Sequence, residues 1–175
     1  MSDITDINLN INITETENIS RQLIFDRTQS DVDYALTCER NNLYTNENLK
    51  GAYNISDRNR AGAAVNHIIE CLRKTGVPEA CANIVKADWD VHDIIKVNGC
   101  AGFLKSLESL KRLLPYGQSA AVPENLDSLT YRKANDIERI IFDLCGVFLR
   151  LADAWLYAGD GFASDFDVWN WQGWD

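Results

Sequence analysis

Hydrophobic and polar residues alternate in two different rhythms along this chain. From Asp6 to Thr14, Ile7, Leu9, Ile11 and Ile13 fall on one side and Asn8, Asn10 and Asn12 on the other. A period of two predicts an extended strand. A lone strand leaves its N–H and C=O groups unpaired. The segment therefore needs an edge from another chain or from a short hairpin with residues 20 to 26, or else it is a frayed terminus. After Phe25 the apolar steps become three and four. Thr28 is placed to cap a helix over Gln29 to Arg40, in which Val32, Ala35, Leu36 and Glu39 share helical spacing. A second helix is predicted from about Asp57 to Lys74 on the stripe Ala61, Ala64, Val65, Ile68 and Leu72, with Gly76 and Pro78 as its stop. A third covers about Gly99 to Leu114 through Phe103, Leu107 and Leu110. The fourth is the most regular: Tyr131, Ala134, Ile137, Ile141, Leu144, Phe148, Leu151 and Trp155 keep the period throughout. Residues 79 to 96 and 115 to 125 read as irregular, and Gly159-Asp160-Gly161 as a turn.

These elements predict a mainly α fold, an antiparallel helical bundle of about four helices organised around the fourth. The expected boundaries are an extended, β-like N-terminal arm over 1 to 24, a helical module over 25 to 164, and an irregular Trp-rich tail over 165 to 175. Length and composition agree with one domain: 175 residues, 46% of them hydrophobic, are enough for a single core. The formal net charge of -9 and the lack of a basic run disfavour nucleic acid as a partner, because no counterions would be released from a phosphate backbone. No apolar run approaches the roughly 20 residues that span a bilayer, so no membrane insertion is expected. Met1 to Ile13 carries no lysine or arginine, unlike a signal peptide. Five cysteines, at 38, 71, 81, 100 and 145, form an odd set without a C-x-x-C pair and read as reduced, buried thiols.

Candidate chemistry is sparse. His67 and His92 have no partner at metal-ligand spacing, no serine stands in a nucleophile elbow, and no cofactor is expected. The acidic pairs Asp88 with Asp90, and Asp153 with Asp160, are of the type that hydrolyses glycosides, but with 26 acids in the chain they read as solvated surface. Asp26-Arg27 and Asp57-Arg58-Asn59-Arg60 place arginine beside acid at expected helix starts, where capping and local ion pairing account for them. The C-terminus departs from the rest, since Trp169, Trp171 and Trp174 put three of five tryptophans within six residues. Such a segment suits a hydrophobic clasp over its own bundle, docking onto another subunit, or stacking on a sugar.

Several short blocks in fixed order carry a resemblance. They are Phe25-Asp26-Arg27-Thr28-Gln29-Ser30-Asp31-Val32, Leu49-Lys50-Gly51-Ala52-Tyr53-Asn54 with Ser56-Asp57-Arg58-Asn59-Arg60, and Lys86-Ala87-Asp88-Trp89. Leu129-Thr130-Tyr131, Ala134-Asn135-Asp136-Ile137-Glu138 and Ala154-Trp155-Leu156-Tyr157-Ala158-Gly159 complete the set. Over residues 25 to 164 the chain resembles a helical module of tail- and baseplate-region virion proteins from phages and prophages of Gram-positive bacteria. The resemblance implies a non-enzymatic virion component, made in the bacterial cytoplasm and held among other tail subunits. The strand residues Ile7, Leu9, Ile11 and Ile13 and the tryptophans Trp169, Trp171 and Trp174 lie outside it. They are the expected partner-binding residues on physical grounds alone, with a host-surface glycan as the alternative ligand of the Trp cluster.

Overall fold

A computed structural model describes residues 13–41, 43, 49–74, 83–90, 93, 98–114, 120–126 and 129–166, with side chains through 153 except those of 98–101. Among these residues the chain is mainly helical and forms α1 (Ile13–Gln22), α2 (Gln29–Arg40), α3 (Ile55–Lys74), α4 (Asn98–Lys111) and α5 (Tyr131–Phe166). α5 packs against α1, α3 and α4, and α3 also touches α1 and α4. Its stripe explains this position. Ala134, Ile137, Ile141, Leu144 and Phe148 are all buried, joined by Ile140 and Cys145 on a widened face. Leu151, expected to continue the stripe, is exposed, and Ala152 takes the inward position. From α3 come Ala61, Ala64, Val65 and Ile68, and from α4 Phe103, Leu107 and Leu110, as their spacing predicts.

Two expectations are corrected. The arm expected over 1 to 24 contains α1, so Ile13 belongs to a helix and not to a strand. Ile13, Thr16, Ile19 and Leu23 recur at steps of three and four, and all four lie on the side that packs on the core. That tertiary contact outweighs the period-two pattern entering it. Residues 159 to 161, expected as a turn, lie inside α5, which runs on to Phe166. A helix-interior glycine costs about 1 kcal/mol against alanine, and without a following proline two of them need not end a helix. Ile7, Leu9 and Ile11, His92, and Trp169, Trp171 and Trp174 lie outside the described residues. The three described thiols, Cys38, Cys71 and Cys145, are unpaired and buried, as expected.

α2 is held by the segment before α3. Thr28 caps it in a reciprocal box with Asp31, and Gly51 crosses it so closely that a Cβ there would lie 2.0 Å from the Asp31 carbonyl oxygen. Only glycine permits that approach.

Candidate functional site

The arginine–acid pairs at the starts of α2 and α3 do not stay local. Arg27 Nη2 lies 3.0 Å from Asp57 Oδ1 and 2.8 Å from Glu138 Oε1, while Arg60 Nη2 lies 2.5 Å from Asp57 Oδ1 and 2.8 Å from Glu138 Oε1. Side-chain exposure is 1% for Arg27, 6% for Asp57, 0% for Glu138 and 17% for Arg60. Two cations thus face two anions in the interior, a balance that avoids an uncompensated buried charge. Backbone groups use the remaining capacity. Ile24 N–H donates to Glu138 Oε2 at 2.6 Å, Arg27 Nε donates to the Lys50 carbonyl at 3.1 Å, and Arg27 Nη1 donates to the Ile24 carbonyl. Asn54 N–H donates to Asp57 Oδ2 at 2.9 Å, and Asn54 Oδ1 accepts from Ser56 N–H and Asp57 N–H, so Asn54 caps α3. Burial works against the Arg60 charge, but hydrogen bonds and attraction from Glu138, then Asp57, raise its pKa overall. Among the described buried side-chain atoms, Arg60 Nε alone finds no hydrogen-bond partner.

Asparagines extend this pattern. Asn135 accepts from Arg27 N–H at 3.1 Å and donates to the Arg27 carbonyl at 2.9 Å. On α3, Asn59 does the same for Trp89, at 2.7 and 3.0 Å, and Asn66 for Val85, at 2.8 Å in both directions. From α4, the Ser106 hydroxyl accepts from Asn83 N–H at 3.3 Å and donates to its carbonyl at 2.9 Å. Each carboxamide offers one acceptor and one donor, as a neighbouring strand would, so residues 83, 85 and 89 of the irregular segment have both backbone groups paired without a sheet. It runs close enough to α3 that a Cβ on Gly62 would lie 2.8 Å from the Lys86 carbonyl oxygen. Trp89 is buried there, with the Arg58 guanidinium 5.2 Å and the Lys86 ammonium 5.3 Å from its ring centroid.

The other buried polar group is built on α1 and α3. His67 Nε2 is 2.8 Å from Thr16 Oγ1 and 3.5 Å from Cys71 Sγ, and Nδ1 is 3.7 Å from Glu15 Oε2. Burial lowers the imidazole pKa against the pull of Glu15 and Glu70. Burial also raises the Cys71 thiol and pushes Cys145 up to about 12. Burial thus favours the neutral, less reactive form of both thiols.

A cleft of about 500 Å³ opens beside the charge node, between the start of α2, the Gly51–Tyr53 turn and the start of α5. The Arg27 guanidinium lies 5.4 Å from the centroid of the Tyr53 ring at its edge.

Of the expected partner-binding residues only Ile13 is described, and it packs half-buried on the core. The acidic pair Asp88 and Asp90 is exposed, with Lys86 near Asp88 at 3.9 Å. Sequence reasoning missed Glu138 as a partner of Arg27 and Arg60. Its signal was a glutamate inside the α5 apolar stripe, next to Ile137 and three residues before Ile141. It also missed Asn59 and Asn66, which flank the α3 stripe two turns apart. Compared with protein-family models, curated proteins and solved structures, the chain gives no match.

Proposed function

We propose that this protein is a structural, non-enzymatic virion component: an adaptor or attachment protein of a phage or phage-like tail, baseplate or fibre. In this reading the helices make an antiparallel bundle of about four, with α1 added, held between an N-terminal arm and the Trp-rich tail. Ile7, Leu9 and Ile11 would add main-chain hydrogen bonds to a neighbouring subunit's edge, and Trp169, Trp171 and Trp174 would anchor a second contact. Other virion subunits are its partners, several copies being arranged by the particle's symmetry.

One observation carries the reading. Five of the seven sequence blocks that resemble the tail-region module meet at the charge node and the asparagine clasps. Phe25–Val32 supplies Arg27, Leu49–Asn54 supplies the Lys50 carbonyl and the α3 cap, Ser56–Arg60 supplies Asp57, Asn59 and Arg60, Lys86–Trp89 is the clasped end of segment 83–90, and Ala134–Glu138 supplies Asn135 and Glu138. The distinguishing residues of the module are spent on fixing one helix arrangement. That is the work of a scaffold.

The test is sedimentation of particles from an induced producer culture, with mass-spectrometric counting of this protein against the major tube subunit. A fixed ratio in the particle band is expected, and the ratio reads out the symmetry. Recovery only from the soluble fraction overturns the virion reading and brings forward a free glycan-binding module that uses the Trp cluster. Removing residues 1 to 12 or 167 to 175 should abolish assembly; loss of adsorption alone would favour the glycan binder.

A further inference from the structure

α1 is held on the fold by a polar contact as much as by apolar burial. It has ten residues, fewer than the roughly 12–15 that an isolated helix needs to persist in water, so its form depends on docking. Ile13 and Ile19 reach the core only half-buried, and the one buried residue of the helix is Thr16, at 1% exposure.

The partner of Thr16 is titratable. His67, buried on α3, sets Nε2 2.8 Å from Thr16 Oγ1, and the threonine hydroxyl also bonds the Cys71 thiol. At the other ring nitrogen, Nδ1 lies 3.7 Å from Glu15 Oε2, whose side chain is 54% exposed. A neutral ring with Nδ1–H toward Glu15 suits this setting, because Nε2 then accepts from the Thr16 hydroxyl. A protonated ring has no acceptor left, so the hydroxyl has to turn away and a charge stands in the seam between two helices. Glu15 and Glu70 favour that charge, Lys74 opposes it, and burial outweighs the two acids. α5 contributes Cys145, which acts on Cys71 and is neutral as well.

The chain just after α1 is built as a pivot. Leu23 is buried, Ile24 N–H donates to Glu138 Oε2 at 2.6 Å, and Arg27 is fixed between Asp57 and Glu138. Residues 23 to 27 are thus anchored in the charge node independently of His67, and α5 packs on α3 and α4 directly. The hold on α1 and the hold on the rest of the bundle use different groups.

We propose that α1 is a proton-released latch: it stays docked while the His67 ring is neutral, and it swings off the α3–α5 surface about residues 23 and 24 when the ring takes up a proton. The docked ring resists a proton that the released ring accepts at its ordinary pKa near 6.5, so falling pH favours release from about pH 6.5 down to the docked value. Release uncovers the parts of α3 and α5 on which α1 lies. The device belongs to the folded chain itself and does not rest on the virion reading.

The experiment is amide hydrogen exchange on the full chain at pH 7.5, 6.5 and 5.5, read as protection factors so that the intrinsic pH dependence of exchange is removed. Residues 14 to 22 are expected to be at least about tenfold less protected than the α5 core, because the latch opens without global unfolding. Their protection should fall about two- to tenfold from pH 7.5 to 5.5. His67→Gln should remove this pH dependence, and Glu15→Gln should keep it, which separates the imidazole from the carboxylate. A titration of the His67 ring by NMR in the unaltered chain gives the docked pKa and thereby the size of the fall with no adjustable quantity, so the test holds even where His67→Gln fails to fold. Five results overturn the proposal: α1 protected as strongly as the α5 core, protection of α1 that ignores pH, a fall that disagrees with the ring titration, a pH dependence that survives in His67→Gln, or one that vanishes in Glu15→Gln.

Discussion

Glu138 holds the Arg27 guanidinium at 2.8 Å across 111 residues of sequence, with its own side chain wholly inside the protein. The contact ties the start of α2 to the middle of the first half of α5, and Arg60 shares the same carboxylate.

Removing that carboxylate leaves two buried guanidinium groups with Asp57 alone. Glu138→Gln is expected to destabilise the protein by about 3–5 kcal/mol, read from the urea midpoint at unchanged slope. The double variant Arg27→Met with Glu138→Leu should lose less than the sum of its single changes, because each single change strands the other partner. Additive losses would mean the pair is not coupled.

The asparagine clasps act locally. Asn59→Ala or Asn66→Ala should cost about 1–3 kcal/mol each, since each strands a backbone N–H and a C=O. Hydrogen exchange should accelerate at Trp89 or Val85 respectively while the α5 core amides stay protected. Uniform acceleration through α5 would show that segment 83–90 unfolds only with the whole domain.

Two glycines should respond oppositely. Gly51→Ala drives a methyl into the α2 backbone and is expected to cost about 1–3 kcal/mol. Gly102→Ala, in α4 with nothing within 4 Å of the new Cβ, should raise stability by roughly 0.5–1 kcal/mol. Thermal melts of the two variants check both signs.

His67 sets a pH dependence. Its imidazole pKa is depressed in the folded state from the ordinary 6.5. Below that value the unfolded chain takes up a proton that the folded chain resists. Its contribution is therefore complete above about pH 6.5 and is lost as pH falls toward the folded-state pKa. His67→Gln should flatten the stability profile in that window. An unchanged slope between pH 7 and 5 would assign the dependence to other groups.

Much of this architecture was legible because burial writes a period. The stripes of α3, α4 and α5 name their inward residues, and Thr28 marks the start of α2 through its capping chemistry. α1 was obscured because Ile13 belongs at once to the alternation behind it and to the helical series Ile13, Thr16, Ile19 and Leu23 ahead of it. The charge node was half legible. Arginine beside acid at 26–27 and 57–60 stood out, but propensity and spacing carry no information about a partner 111 positions away, so local pairing was the natural reading. The cleft was not legible at all, since its walls come from three separate segments.

The clasp geometry also fixes a length. Asn59 grips residue 89 and Asn66 grips residue 85, so seven residue steps along the helix are matched against four along the irregular segment. One residue inserted or deleted between Val85 and Trp89 would leave a carboxamide facing the wrong peptide and turn Trp89 out of its slot. The span from residue 85 to residue 89 is thus metered by two side chains of one helix, and its length is as much a part of the fold as its composition.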